Sequence, residues 1–215
     1  MKKPEVVMRI EDAWKKLSDT IDKYHEEFLK HNDEEDLADN HIFIWEEADI
    51  PFQVGRFLLA NQDVDKFQFH LEMNLKRKNF DGRAFSDNRS LDTIKEKLGR
   101  NARVDFLVDD MSPKHLAAIG EAKYFRYSIE GISRGKRNVM DAIDEDHEKL
   151  KLLVDNDVCK YGIYLVVDKW YHRNDPKKWK EIVKKLEKIE SKKNLCFHKR
   201  SLTTNYGISM LDSMN

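Results

Sequence analysis

Arg103-Val104-Asp105-Phe106-Leu107-Val108-Asp109, then Asp110-Met111-Ser112-Pro113-Lys114, then His115-Leu116-Ala117-Ala118-Ile119-Gly120-Glu121-Ala122-Lys123-Tyr124-Phe125: this stretch decides the fold. Two apolar-rich runs flank a short segment with turn chemistry, so a β-hairpin is the economical connection. For a hairpin centred on Pro113, residues whose numbers sum to 226 face each other, and Asp105 and Glu121 meet that condition. Their carboxylates are then directly opposed on one face of the pair. Lys123, two residues on, shares that face. Val104, Phe106 and Val108 on one strand, with Leu116, Ala118, Gly120 and Ala122 on the other, make an apolar opposite face that packs on helices.

Two like charges directly opposite on a sheet repel. A divalent cation between them reverses the sign, and hard carboxylate oxygens completed by waters and a substrate phosphate suit magnesium. A lysine beside such a site orients or activates an attacking water and offsets charge on the transition state. Ordinary cross-strand pairing of Lys and Glu on a surface is the other reading of the same residues.

Working outward, Phe67, Phe69, Leu71 and Met73 alternate with polar residues, the period of a strand. The alternation puts Glu72 on the polar face with Gln68 and His70. Ahead of it, a helix starting near Pro51 carries Phe52, Val54, Phe57 and Leu58. Residues 75–89 read as a loop, followed by a short helix capped by Ser90, bearing Leu91, Ile94 and Leu98 and ended by Gly99. Beyond the hairpin, a basic loop from Ser128 to Asn138 leads into a helix with Val139, Ile143, Leu150, Leu153 and Val154 inward. Tyr161 to Val167 is a nearly continuous apolar run, as in a strand covered on both faces. Asp175-Pro176 opens a further helix with Trp179, Ile182, Val183, Leu186 and Ile189, and a last strand runs from Leu195 to His198. The expected fold class is α/β, a mixed sheet flanked by helices. Phe106, Val108, Ile143, Leu150, Leu153, Ile163 and Leu165 are expected in one core.

At the N-terminus, Ile10, Trp14, Leu17, Ile21, Tyr24 and Phe28 form one stripe on a long helix. Core is the economical use of that stripe; a homodimer surface is the alternative. We divide the chain into an amphipathic helical extension, 1–40, and a main domain, 41–215. With 215 residues, 40% hydrophobic and 37% charged, the chain reads as a solvated globular protein. Its formal net charge of −1 means that contact with nucleic acid must come from a local patch. Neither a signal-like segment nor a membrane-length apolar run is visible, which predicts a cytoplasmic protein with no membrane partner. Cys159 and Cys196 read as free thiols in or beside strands. Neither a Cys/His zinc pattern nor a helix-turn-helix signature is apparent.

Asp105, followed by Glu121-Ala122-Lys123 at the end of an apolar strand, resembles the PD-(D/E)XK nuclease superfamily, whose fold is called restriction-endonuclease-like. The order helix, three strands, helix, strand from about residue 46 to 168 is similar to that family's αβββαβ core. The segment Ile143 to Leu150 looks like the amphipathic helix that follows its lysine strand. The resemblance implies a metal-dependent nuclease, an endonuclease, that hydrolyses phosphodiester bonds of DNA with Mg2+, or with Mn2+ in its place. Asp105 and Glu121 would hold the metal with the backbone carbonyl of Ala122, and Lys123 would assist the water. Many members supply another acid from the first helix or strand, for which Glu72 and Glu47 are the candidates. The family's proline before the Asp is Val104 here. Arg126, Arg134, Lys136 and Arg137, interleaved with Tyr124, Phe125 and Tyr127, are candidate nucleic-acid contacts. A non-catalytic nucleic-acid-binding or assembly module on the same fold is the alternative.

Overall fold

The hairpin and its flanking runs form one mixed sheet, flanked by helices on both faces. The computed structural model describes residues 4–30, 47–60, 66–75, 94, 96–99, 103–111, 115–125, 138–190 and 194–201. In chain order these give α1 (Glu5–Leu29), α2 (Asp49–Leu59), β1 (Gln68–Asn74), β2 (Arg103–Asp109), β3 (Leu116–Phe125) and α3 (Val139–Asp155). They continue with β4 (Cys159–Asp168), α4 (Tyr171–Asn174), α5 (Pro176–Glu190) and β5 (Leu195–Ser201). The five described strands lie in the order β1-β2-β3-β4-β5. β1, β2 and β3 pair antiparallel, whereas β4 and β5 run parallel to β3.

The register of the hairpin is that expected from the turn: Phe106 faces Gly120, Leu107 faces Ile119 and Val108 faces Ala118. Asp109 Oδ1 accepts from the Met111 N–H at 2.9 Å, and Met111 is left-handed (φ 59°), so the Asp bends the chain out of β2. Local chemistry starts the helices as well. Asn138 caps α3 by accepting from the Met140 N–H at 2.9 Å, and Asp175 Oδ1 accepts from Lys178 N–H at 3.0 Å at the start of α5. Gly99, with φ +51°, sits where a left-handed helix stop was expected.

Two expectations are corrected: Val104 and Leu116 pack on the side of the sheet opposite Phe106, Val108, Ala118 and Ala122, and the apolar residues form two cores. Phe106, Val108, Ile163 and Leu165 pack with α1 and α2 on one face of the sheet. Ile143, Leu150 and Leu153 pack on the other with Leu107, Ile119, Tyr164 and the α5 residues Trp179, Ile182 and Leu186. The cause is the strand period, which sends Ile163 and Leu165 to the face opposite Tyr164 and Val166. The α1 stripe is core: Ile10, Trp14, Leu17 and Ile21 are buried in the first of these clusters. The four-residue α4 had no sequence expectation. It forms because Asp168, at the end of β4, accepts from the N–H groups of Trp170, Tyr171 and His172 at 3.1, 2.8 and 2.7 Å.

Two glycines set how closely α2 and β3 approach the sheet's aromatic stack. Phe69 and Phe106 stack with ring centroids 5.5 Å apart. A Cβ on Gly55 of α2 would lie 2.5 Å from the Phe69 ring, and one on Gly120 would lie 1.9 Å from the Phe106 ring. The bare Gly55 backbone lets α2 settle onto β1, and the residues just before and within α2 thereby reach the end of the hairpin that carries the charges. Neither cysteine is in a disulfide; Cys159 is buried and Cys196 partly so. No described helix is long and apolar enough to cross a membrane.

Candidate functional site

Asp105 lies on β2, and Glu121 and Lys123 lie on β3; Glu121 and Lys123 meet Lys149 and Asp146 of α3, whereas Asp105 lines a cleft with Asp49, Pro51 and Phe52 of α2. Beyond the Phe106–Gly120 pair, the Asp105 carboxylate takes over from the ladder: Ala122 N–H donates to Asp105 Oδ2 at 2.7 Å. Ala122 itself is buried in the other core, so its contribution at this point is its backbone. Glu121 is only 2% exposed. Its Oε1 lies 2.7 Å from Lys149 Nζ of α3, and Lys149 also donates to the Arg103 carbonyl at 3.0 Å. Burial pushes the Glu121 pKa up to about 8; Lys149 opposes the shift, and Asp105 and Asp146 reinforce it.

Lys123 is held between two acids. Its Nζ is 3.0 Å from Asp146 Oδ2 and 3.3 Å from Glu47 Oε1. Burial alone would depress its pKa, but Asp146, Glu47 and Asp105 overcome that and raise it, so the ammonium stays charged. Glu47 reaches in from the turn before α2, and its other oxygen accepts from Tyr124 N–H at 3.2 Å. Its carboxyl is raised, chiefly by burial, against the pull of Lys123 and the Tyr124 N–H. Asp146 is buried, receives the Tyr164 hydroxyl at 3.2 Å, and lies 3.8 Å from Lys149. The Tyr164 pKa is driven up by burial and by the adjacent Asp146.

Ion pairs thus join Glu47, Lys123 and Glu121 through Asp146 and Lys149, with Tyr164 on Asp146 and the charge of Asp105 nearby; Asp146, Lys149 and Tyr164 are residues that sequence reasoning missed. Glu72 is exposed and ion-paired with Arg103. It departs from the expected alternation: its φ is +51°, and the β1–β2 pairs pass from Leu71–Phe106 to Met73–Val104 without it. In a regular strand Leu71 and Glu72 would face opposite sides. Here both line one cleft of about 580 Å³ together with Glu47 and Asp105. Arg126, Arg134, Lys136 and Arg137 lie outside the described residues.

Three carboxylates and two ammonium groups share this network, and Asp105, held by the Ala122 N–H, is a fourth carboxylate beside it. Among the described residues no three His, Cys, Asp or Glu side chains form a group that could hold a metal ion. Magnesium does not need three, since it keeps most of its waters and uses one or two carboxylates plus substrate oxygens. Asp105 and Glu121 supply two carboxylates, of which the Glu121 Oε1 is held by Lys149 at 2.7 Å. Comparisons with protein-family models, with curated proteins and with solved structures find no match to this chain.

Proposed function

We propose that this protein is a Mg2+-dependent nuclease that hydrolyses phosphodiester bonds of DNA on a restriction-endonuclease-like core. The observation that carries the reading is the gathering of Asp105, Glu121, Lys123 and Glu47 at one end of the hairpin with more acid than base. The run α2, β1, β2, β3, α3, β4 supports it, being the helix, three strands, helix, strand order of the PD-(D/E)XK nucleases.

Asp105 and Glu121 are the proposed metal ligands, with the Ala122 carbonyl beside them. A bound magnesium ion would neutralise charge on the scissile phosphate and make its water a better nucleophile. The chain's own contribution is preorganisation. The Ala122 N–H fixes the Asp105 carboxylate, and Glu47 and Asp146 hold the Lys123 ammonium charged and aimed between them. An ammonium fixed there donates to the attacking water or the phosphate oxygens without reorganising in the transition state. Arg126, Arg134, Lys136 and Arg137 are proposed phosphate contacts, and Glu72 a further acid of the cleft.

The test is cleavage of single- and double-stranded DNA with Mg2+, Mn2+ or Ca2+. Activity should require Mg2+ or Mn2+ and vanish in Asp105→Ala and Glu121→Ala. In Lys123→Ala the rate should drop by roughly 10²–10³, the loss typical of one preorganised contact. Cleavage that persists in EDTA, or at the wild-type rate in Glu121→Ala, would refute the reading. One observation favours a non-catalytic module instead: Lys149 lies at 2.7 Å from the Glu121 oxygen that a metal would take. On that reading Mn2+ does not bind, and calorimetry separates the two.

A further inference from the structure

Of the four large hydrophobic side chains exposed among the described residues, two line one cleft: Phe52 of α2, 52% exposed, and Leu71 of β1, 38% exposed. The same cleft is walled by Pro51 and opens onto Glu47, Glu72 and Asp105. Its volume, about 580 Å³, is in the range of small-molecule sites, roughly 300–1,000 Å³. The left-handed backbone at Glu72 brings Leu71 and Glu72 onto the same wall. A non-glycine residue adopts that conformation only where its surroundings hold it there. β1 therefore departs from its ladder at the position that would face Asp105.

We propose that this cleft takes an unpaired nucleobase of a polynucleotide, with Phe52 as its stacking platform. The strand presented to the Asp105–Glu121 site is then single or locally unpaired. The proposal rests on the phosphodiesterase reading of that site and names its substrate class. Its chemistry follows from the walls. Glu47 and Glu72 repel a phosphate, so the backbone does not belong between them and stays at the Asp105 end of the cleft. A base offers a π face to an exposed aromatic ring and N–H donors to Glu47 or Glu72, as exocyclic amines do to acidic side chains elsewhere. An alkyl chain would match Phe52 and Leu71 but bury acids against hydrocarbon. A duplex keeps its bases stacked and turns its phosphates outward, so only an extruded or unpaired base can enter.

The experiment is fluorescence anisotropy of a short labelled oligonucleotide, single-stranded and as a duplex, with the full chain in calcium. The single strand should bind more tightly. Phe52→Ala should weaken that binding by roughly 5- to 150-fold, the affinity carried by one base–aromatic stack, and leave duplex binding unchanged. Phe52→Tyr should retain it. Phe52 is exposed, so an unchanged urea midpoint will establish that Phe52→Ala still folds. Single-strand affinity unaffected by Phe52→Ala, preferential duplex binding, or no binding to either form would each overturn the proposal. Phe52-dependent binding without cleavage in Mg2+ or Mn2+ would keep the cleft and remove the nuclease reading. Single-strand cleavage in Mg2+ by Phe52→Ala with wild-type rate and affinity would do the reverse.

Discussion

Replacing Glu121 with Gln should flatten the pH dependence of stability over a defined window. In the folded chain the Glu121 pKa is pushed up to about 8 by burial, from an ordinary 4.5. Below about pH 4.5 the carboxyl is protonated whether the chain is folded or not, and it contributes no slope. Between there and pH 8 the unfolded chain has released the proton and the folded chain keeps it. The native state then binds more protons, and stability falls as pH rises. One proton held across one pH unit is worth about 1.36 kcal/mol, so the full window is worth roughly 5 kcal/mol. The glutamine keeps the shape and cannot ionise, while Lys149 retains the Arg103 carbonyl and Asp146. Urea denaturation at steps from pH 4 to 9 provides the readout. The difference in unfolding free energy, Glu121→Gln minus wild type, should climb by several kcal/mol across the window and level off above pH 8. Parallel curves would refute the burial argument. Millimolar Mn2+ should stabilise wild type at pH 8 and leave Glu121→Gln unmoved, because only the carboxylate competes for the ion.

Two further outcomes test the packing around the site. Gly120→Ala puts a methyl 1.9 Å from the Phe106 ring, which is itself stacked on Phe69, and should lower stability by about 1–3 kcal/mol. Phe106→Leu in the same chain should recover part of that loss; a neutral Gly120→Ala in a urea titration would contradict the close approach. Tyr164→Phe removes the hydroxyl that donates to Asp146 and should cost about 1.5–3 kcal/mol, as for a hydrogen bond to a charged group. An unchanged urea midpoint would show that the bond carries nothing.

Much of the fold was legible because its strands carry unambiguous periods. The hairpin register followed from one short turn, and the runs 103–109 and 161–167 are apolar enough to identify themselves. The failures share a cause. Period-2 alternation tells which residues share a face, but a run apolar on both sides gives no indication that its faces belong to different cores. Ile163 and Leu165 were therefore grouped with Ile143 and Leu150, although the sheet separates them. At Glu72 the residue types alternate faithfully while the backbone turns left-handed, and nothing in Leu71-Glu72-Met73 announces it. Gly55 gave no signal either, since its role depends on the Phe69 ring opposite.

The site was half legible, and its missing half had left a trace. Val139, Ile143, Leu150 and Leu153 define a helical stripe whose regular steps of four and three residues require an inward residue at 146, and the chain supplies Asp there. A carboxylate in an apolar stripe needs a partner. Its partners are Lys123, Lys149 and Tyr164, each from a polar or aromatic position that sequence alone treats as ordinary. Deleting one member of such a pair strands a buried charge, at a cost of several kcal/mol. Asp146 and Lys149 each have a nearer partner, Lys123 at 3.0 Å and Glu121 at 2.7 Å, so removing both strands those two. The two readings of the network therefore diverge in a double substitution, Asp146→Asn with Lys149→Met. A structural ion cluster would lose stability with little else changed. A metal site would keep Asp105, Glu121 and Lys123, and freeing Glu121 from Lys149 should tighten its hold on Mn2+. Weaker Mn2+ binding in the double variant would mean that Lys149 helps to build the site rather than competing for it.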